Sequence, residues 1–247
     1  MLRTVIFAFL ISTLPASAQS GLPEGFAFLR DVDPTIAQDM RYASSNNFVG
    51  RPLPGYNGHE CVLRSKAAEA LKRVQADLGR SGFSLKVYDC YRPVRAVRAF
   101  AQWAQDGRSD GVKQFYPSLP KEALFRSGYI SGASLHSNGT AIDLTVIPAR
   151  STVPAVDTGD RYGACTALAS QRAPDNSLDM GTGFDCFDVR SYTNNKDIDA
   201  VQKRNRATLH EAMARHGFKN YFREWWHFAY PIGEKPQQFD FPIPRHR

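Results

Sequence analysis

Apolar positions along the chain recur in two periods, and they divide it into short helices and strands separated by loops rich in Gly, Pro, Asn and Asp. Between Ser65 and Arg80, the residues Ala68, Leu71, Val74 and Leu78 fall on one helical face, with Ser65 as the expected N-cap and Gly82 as the stop. Ser84 to Tyr88 alternates as a strand. Val94 to Gln105 returns to the helical period, with Pro93 suited to its first turn. Thr140 to Val146 alternates again, Ile198 to His216 reads as a second long helix ended by Gly217, and Glu224 to Tyr230 reads as a third strand. Strict βαβ alternation is lacking. The expected class is therefore α+β, with helices packed on a central, mainly antiparallel sheet in a single domain.

Two stretches escape both periods. Arg41 to Tyr56 (RYASSNNFVGRPLPGY) reads as an ordered irregular loop with aromatic anchors, and residues 148–179, rich in Gly, Ser, Asp and Ala, as a loop insertion. At the start, MLRTVIFAFLISTLPASAQS places Arg3 before an apolar run from Val5 to Leu14 and closes on Ala16-Ser17-Ala18. That order is the signature of a secretory signal peptide over residues 1–18, with residues 19–247 as the mature domain. The run is too short to span a bilayer of ~30 Å, and no later stretch approaches the ~20 apolar residues that a span needs. An exported protein without membrane insertion is expected, and a bacterial periplasm is the first choice of compartment.

Cysteine usage agrees with export. Cys61, Cys90, Cys165 and Cys186 are even in number, lack the CxxC spacing of a thiolate metal site, and allow three pairings. The favoured pairing joins Cys165 to Cys186, closing a local loop, and Cys61 to Cys90. The formal charge of +7 is scattered along the chain rather than gathered on one face, which argues against nucleic acid as a partner.

The segment from Ser134 to Asp143 (SLHSNGTAID) carries the first chemistry. Asn138-Gly139 is a turn signal that folds His136 back beside the strand bearing Asp143. On that strand Thr140, Ile142, Leu144 and Val146 share an apolar face, which leaves Ala141, Asp143 and Thr145 on the other, facing a cleft. An imidazole beside a carboxylate suits zinc, but a catalytic zinc usually takes three protein ligands. His227, in Glu224-Trp225-Trp226-His227-Phe228, is the strongest candidate for the third. Glu224 lies three residues before it, off the face of a regular strand, so the chain is expected to bend there with Trp225 and Trp226 packing the bend.

Together, SxHxxGxAxD, EWWH and the YRP element resemble the D-alanyl-D-alanine dipeptidases of the vancomycin-resistance type, within the zinc D-Ala-D-Ala peptidases. The resemblance extends through RYASSNNFVG, YDCYRPVRAV, SLHSNGTAIDLT, MGTGFDCFD, EWWHF and the FDFP ending. It implies one Zn²⁺ held by His136, Asp143 and His227 in a cleft, Glu224 as general base and acid, and Arg92 steadying the transition state. It also implies substrate contacts from Tyr42, Ser134 and Asp185, with Asp185 pairing with the free amino end of a small D,D-dipeptide. Ser134 has a second reading as a turn-shaping residue, and Tyr42 as a loop anchor. The implied activity is hydrolysis of D-Ala-D-Ala in the cell envelope during wall-peptide turnover.

Two alternatives remain open on sequence alone. A zinc DD-carboxypeptidase trimming longer wall peptides uses the same metal set, and a zinc-containing binding protein would have kept the fold without turnover. His59, His210 and His216 read as surface or loop residues, and no GxSxG, P-loop or dinucleotide fingerprint is present.

Overall fold

A computed structural model describes residues 21–108, 110–154, 162–233 and 237–246. The expected signal peptide and part of the 148–179 segment lie outside the described residues. In chain order the elements are β1 (Phe26–Phe28), α1 (Leu29–Val32), β2 (Ala37–Gln38), β3 (Val62–Arg64), α2 (Ser65–Gly79), β4 (Phe83–Asp89) and α3 (Val94–Gln105). They continue with α4 (Ala123–Arg126), β5 (Ala141–Pro148), α5 (Ala200–Arg215), β6 (Lys219–Asn220) and β7 (His227–Ala229). Five strands form one sheet in the order β2-β4-β5-β7-β6, in which only the β2-β4 pair is parallel, while β1 and β3 form a separate antiparallel pair. The α+β expectation with a mainly antiparallel sheet holds.

Helix α2 buries Ala68, Leu71, Val74 and Leu78, the stripe its sequence period marks, and packs on β4 and α5. Its N-cap is Arg64 rather than Ser65, which forms the first helical residue, and no side chain caps that end. Helix α5 begins at Ala200 rather than Ile198. Asp199 and Gln202 form a reciprocal capping box that consumes two orphan N–H groups and sets the start. Beyond α5, Gly217 takes φ 89° and ends the helix as expected.

The strand β5 departs from a simple inside-outside division. Every residue from Ala141 to Ile147 is buried, because the face carrying Asp143 and Thr145 is covered as well as the apolar one. Residues 175–184 supply that cover. Thr145 Oγ1 lies 2.5 Å from Ser177 Oγ, Lys86 Nζ donates to Asn176 Oδ1 at 2.8 Å, Tyr88 OH donates to Asp175 Oδ2 at 2.6 Å, and Phe184 stacks on Tyr88. Only the Asp143 end of that face opens to a cleft. The expected strand over Glu224–Tyr230 shrinks to β7, because Glu224 to Trp226 form a turn closed by His227 N–H donating to Glu224 O at 3.2 Å. Trp225 and Trp226 are buried at that bend, as their spacing suggests.

Both favoured disulfides are present: Cys61–Cys90 ties the end of β4 to the start of β3, and Cys165–Cys186 ties two points of the irregular segment after β5. Among the described residues, no helix is long and apolar enough to cross a membrane. His216, read from sequence as a surface or loop residue, is half-buried and bonds Asp77 of α2 at 2.5 Å, tying the end of α5 to α2.

Candidate active site

Sheet register brings three acidic and imidazole side chains into one row. Along the β4-β5 pair the register runs regularly from Phe83 opposite Pro148 to Val87 opposite Leu144, then shifts at Tyr88 so that Asp89 stands opposite Asp143. Such a bulge re-aims the side chains beside it. On the other side of β5, Asp143 stands opposite His227. His136 arrives from the 3-10 turn Leu135–Asn138, where Ser134 Oγ accepts from His136 N–H at 3.2 Å and Gly139 closes the turn at φ 76°. A Cβ on Gly139 would stand 2.3 Å from the Phe26 ring, so only glycine fits.

The turn folds His136 back onto β5 as the Asn138-Gly139 signal suggests. His136 Nε2 lies 3.3 Å from Asp143 Oδ2 and 3.2 Å from His227 Nδ1, and His227 Nδ1 lies 2.9 Å from Asp143 Oδ1. Neighbouring ligand atoms around a tetrahedral zinc, each ~2.0–2.1 Å from the ion, are separated by about 3.3 Å. Each of the three residues offers one ligand atom, these atoms all lie within 4.8 Å of one another, and the residues form a group able to hold a metal ion. Burial opposes ionisation of Asp143, yet the His136 and His227 rings beside it hold its carboxyl well below the usual range. His136 Nδ1 is 2.6 Å from Cys90 O. A carbonyl only accepts, so Nδ1 carries the proton and Nε2 keeps the lone pair that a metal needs.

Glu224 stands at the rim of this group, with Oε2 3.8 Å from His227 Nδ1. Burial raises its carboxyl to about 7, with His227 opposing and Asp143 adding to the rise. Arg92 approaches from the start of α3. Its Nε donates to Asp89 Oδ2 at 2.9 Å, one terminal nitrogen lies 2.8 Å from the same oxygen and 3.6 Å from Asp143 Oδ2, and its guanidinium sits over the Tyr42 and Phe100 rings. Asp89 was not marked by the sequence reading. It is fully enclosed, accepts from Tyr56 OH at 2.7 Å, and lies 3.3 Å from His136 Nδ1. A carboxylate ending an apolar strand three residues before a candidate arginine is the signal that would have found it.

In the same cavity, Asp185 accepts from Tyr42 OH at 2.6 Å. Its backbone takes φ 56°, in the left-handed region, and burial followed by the nearby Asp143 charge pushes its carboxyl well above the usual range. Tyr42, Arg92, Ser134, His136, Asp143, Asp185, Glu224 and His227, the full set of sequence candidates apart from the cysteines, line one cavity of about 300 Å³. Phe48, Tyr129 and Phe187 from loops and Phe100 from α3 add to its apolar wall; nothing in the sequence distinguishes such aromatic residues from core anchors.

Comparison with known proteins places this geometry in a lineage. The family model described as D-ala-D-ala dipeptidase matches residues 23–162 and 154–244. The chain belongs to the D-Ala-D-Ala dipeptidase family. Similar members include a D-alanyl-D-alanine dipeptidase of Enterococcus faecium, 32% identical over 89% of this chain and 98% of its own length. Another from Streptomyces coelicolor is 34% identical over 88% of this chain and 98% of its own. One from Escherichia coli is 29% identical over 85% of this chain and 84% of its own. For a D-Ala-D-Ala dipeptidase family member, a metallopeptidase type of site agrees with the His136, Asp143 and His227 group.

Proposed function

We propose that this chain is an exported zinc dipeptidase that cleaves D-Ala-D-Ala to two D-alanines in the cell envelope, in the turnover of wall peptides. This proposal is carried by the convergence, in one small cavity, of three residues able to hold a metal ion, the Glu224 carboxylate beside them and the Asp185 carboxylate bonded to Tyr42. The dipeptidase names of the relatives agree. Zinc held by His136, Asp143 and His227 would polarise the scissile carbonyl and lower the pKa of an attacking water toward ~7.

Glu224 takes the proton of that water and delivers it to the leaving amine, a shuttle that needs one carboxylate beside both atoms. Arg92 stabilises the oxyanion that develops on the carbonyl, its guanidinium held by Asp89 so that little reorganisation is needed at the moment of reaction. Asp185 with Tyr42 receives the substrate's ammonium. An acylated amine would leave that buried carboxylate with the Tyr42 hydroxyl but no counter-charge, which favours free dipeptides over longer wall peptides. A cavity of about 300 Å³ stands at the lower end of the ~300–1,000 Å³ range of small-molecule pockets, in keeping with a small substrate. Export is supported by the leader-like first residues and by two disulfides.

The test compares D-Ala-D-Ala with N-acetyl-D-Ala-D-Ala as substrates of the zinc-loaded protein, following free D-alanine. Cleavage of the free dipeptide with the acetylated one resistant supports the proposal; preference for the acetylated substrate establishes the carboxypeptidase alternative.

A further inference from the structure

We propose that the two disulfides are separate positioning elements for the two halves of the site: Cys61–Cys90 fixes the backbone carbonyl that orients His136 toward the metal, and Cys165–Cys186 fixes the carboxylate that receives the substrate's amino group. The inference rests on the site roles proposed above and adds to them a division of labour between two covalent ties.

The first half starts from the end of β4. Ladder pairing with β5 stops at Asp89, immediately after the register shift, so no strand partner from β5 holds Cys90. Yet Cys90 O is the atom that receives His136 Nδ1 at 2.6 Å, and hydrogen-bond reach ends near ~3.2 Å. A carbonyl displaced by about an ångström would lose this bond and leave Nδ1 only the longer approach to Asp89 Oδ2 at 3.3 Å. Cys90 is instead tied through sulfur to Cys61. Cys61 is itself anchored, its N–H donating to Gln38 Oε1 at 2.7 Å and its carbonyl accepting from Leu29 N–H at 2.9 Å. One residue further on, Tyr91 N–H donates to Val62 O at 2.8 Å, and Arg92 N–H donates to His136 O at 3.2 Å. The disulfide thus holds one strand end that touches His136 through Cys90 and carries Asp89 and Arg92 on either side.

The second half concerns an irregular segment. Asp185 adopts a left-handed backbone that side-chain-bearing residues seldom take, and it does so where no helix or strand supplies a ladder. Such a conformation persists only when its flanks are held. Cys186, the next residue, is bonded to Cys165, whose N–H donates to Gln114 O at 2.9 Å. Gly183 N–H donates to Cys165 O at 2.9 Å, and Phe187 N–H donates to Phe115 O at 2.8 Å, so the chain is gripped just before and just after Asp185. Loss of this tie removes the covalent part of that grip and loosens the carboxylate that meets Tyr42, while leaving the His136, Asp143 and His227 atoms on their own supports.

The experiment uses the mature protein with each pair replaced, Cys61→Ala with Cys90→Ala and Cys165→Ala with Cys186→Ala. A space-filling Cys61→Ala with Cys90→Val variant serves if the first does not fold, as judged by circular dichroism at the assay temperature. Zinc affinity is read by competition with a chromogenic chelator, and kcat and KM by D-alanine release from D-Ala-D-Ala. Removing the first disulfide should weaken zinc binding on the order of tenfold or more, the size of a lost partner behind a ligating histidine. Removing the second should leave zinc affinity within about twofold and raise KM on the order of tenfold with kcat little changed, the pattern of a lost contact that is held equally in ground and transition states. Unchanged zinc affinity in the first variant, unchanged KM in the second, or equal losses of both properties in both variants would overturn the proposal, since a tie that merely stabilises the fold affects every readout alike. Zinc competition requires no substrate. A wild-type protein that binds zinc without cleaving D-Ala-D-Ala would therefore count against the proposed function, while the Cys61–Cys90 claim is still decided by zinc affinity.

Discussion

Replacing Asp185 by Asn removes a charge while keeping the shape and an oxygen for Tyr42 OH, so it isolates the proposed contact with the substrate's ammonium. A hydrogen bond to a charged group contributes roughly 1.5–3 kcal/mol, which corresponds to a loss on the order of 10- to 150-fold in kcat/KM. Most of that loss belongs in KM. In the proposed role Asp185 meets the ammonium rather than the scissile bond, a contact held equally in ground and transition states, which is uniform binding. Acidity adds a second signature. Burial raises the Asp185 carboxyl well above its ordinary value, and an ammonium beside it favours the ionised form. In the wild type, lowering the pH through that raised value protonates the free enzyme's carboxyl, so KM should climb as pH falls and begin to do so above the ordinary carboxylate range. The Asp185→Asn variant has no carboxyl to titrate at that position, and its KM should stay flat over the same interval. The assay is D-alanine release from D-Ala-D-Ala at several substrate concentrations and pH values, for both proteins. A change of less than about threefold, or a loss confined to kcat, would rule out Asp185 as the ammonium's partner, because a residue that binds the ammonium must act on KM.

Arg92→Lys keeps the charge but loses the fork that Asp89 grips; kcat should fall on the order of 100-fold with a smaller change in KM, and steady-state kinetics checks it. His136→Ala should reduce zinc bound per chain well below one after dialysis, measured by atomic absorption, and chelation of the wild type should abolish hydrolysis until zinc is returned. Lys86, fully enclosed beneath the 175–184 segment, is lowered to about 8 by burial despite the nearby Asp175 carboxylate. Between about pH 8 and the ordinary lysine value the unfolded chain therefore binds more protons than the folded one, and the unfolding free energy of the wild type should rise with pH relative to Lys86→Met, as urea melts at about pH 7.5 and 9.5 would show.

Most of the framework follows from local signals. The α2 stripe, Gly82, Pro93 and Gly217 act within a few residues of themselves, and the structure realises each of them at or near its expected place. The Asn138-Gly139 turn is also local, and it accounts for the meeting of His136 and Asp143. What escaped were features made by partners distant in sequence. Nothing in the alternation of β5 shows that residues 175–184 will cover its polar face. Asp89 acquires its role only when a register shift sets it opposite Asp143 and beside Arg92. The Cys90 carbonyl is invisible to any reading of side chains, though it touches the candidate ligand His136 more closely than any other group. The short strands β1, β2, β3 and β6, of two or three residues each, are too brief to display a period.

The decisive experiment is D-alanine release from D-Ala-D-Ala by the zinc-loaded mature protein, with Glu224→Ala measured beside it at equal zinc content. The wild type should release D-alanine and the variant should be slower on the order of 100-fold or more, with one zinc retained in both. Equal rates would contradict the role of Glu224, and no release by either protein with zinc bound would contradict the dipeptidase itself.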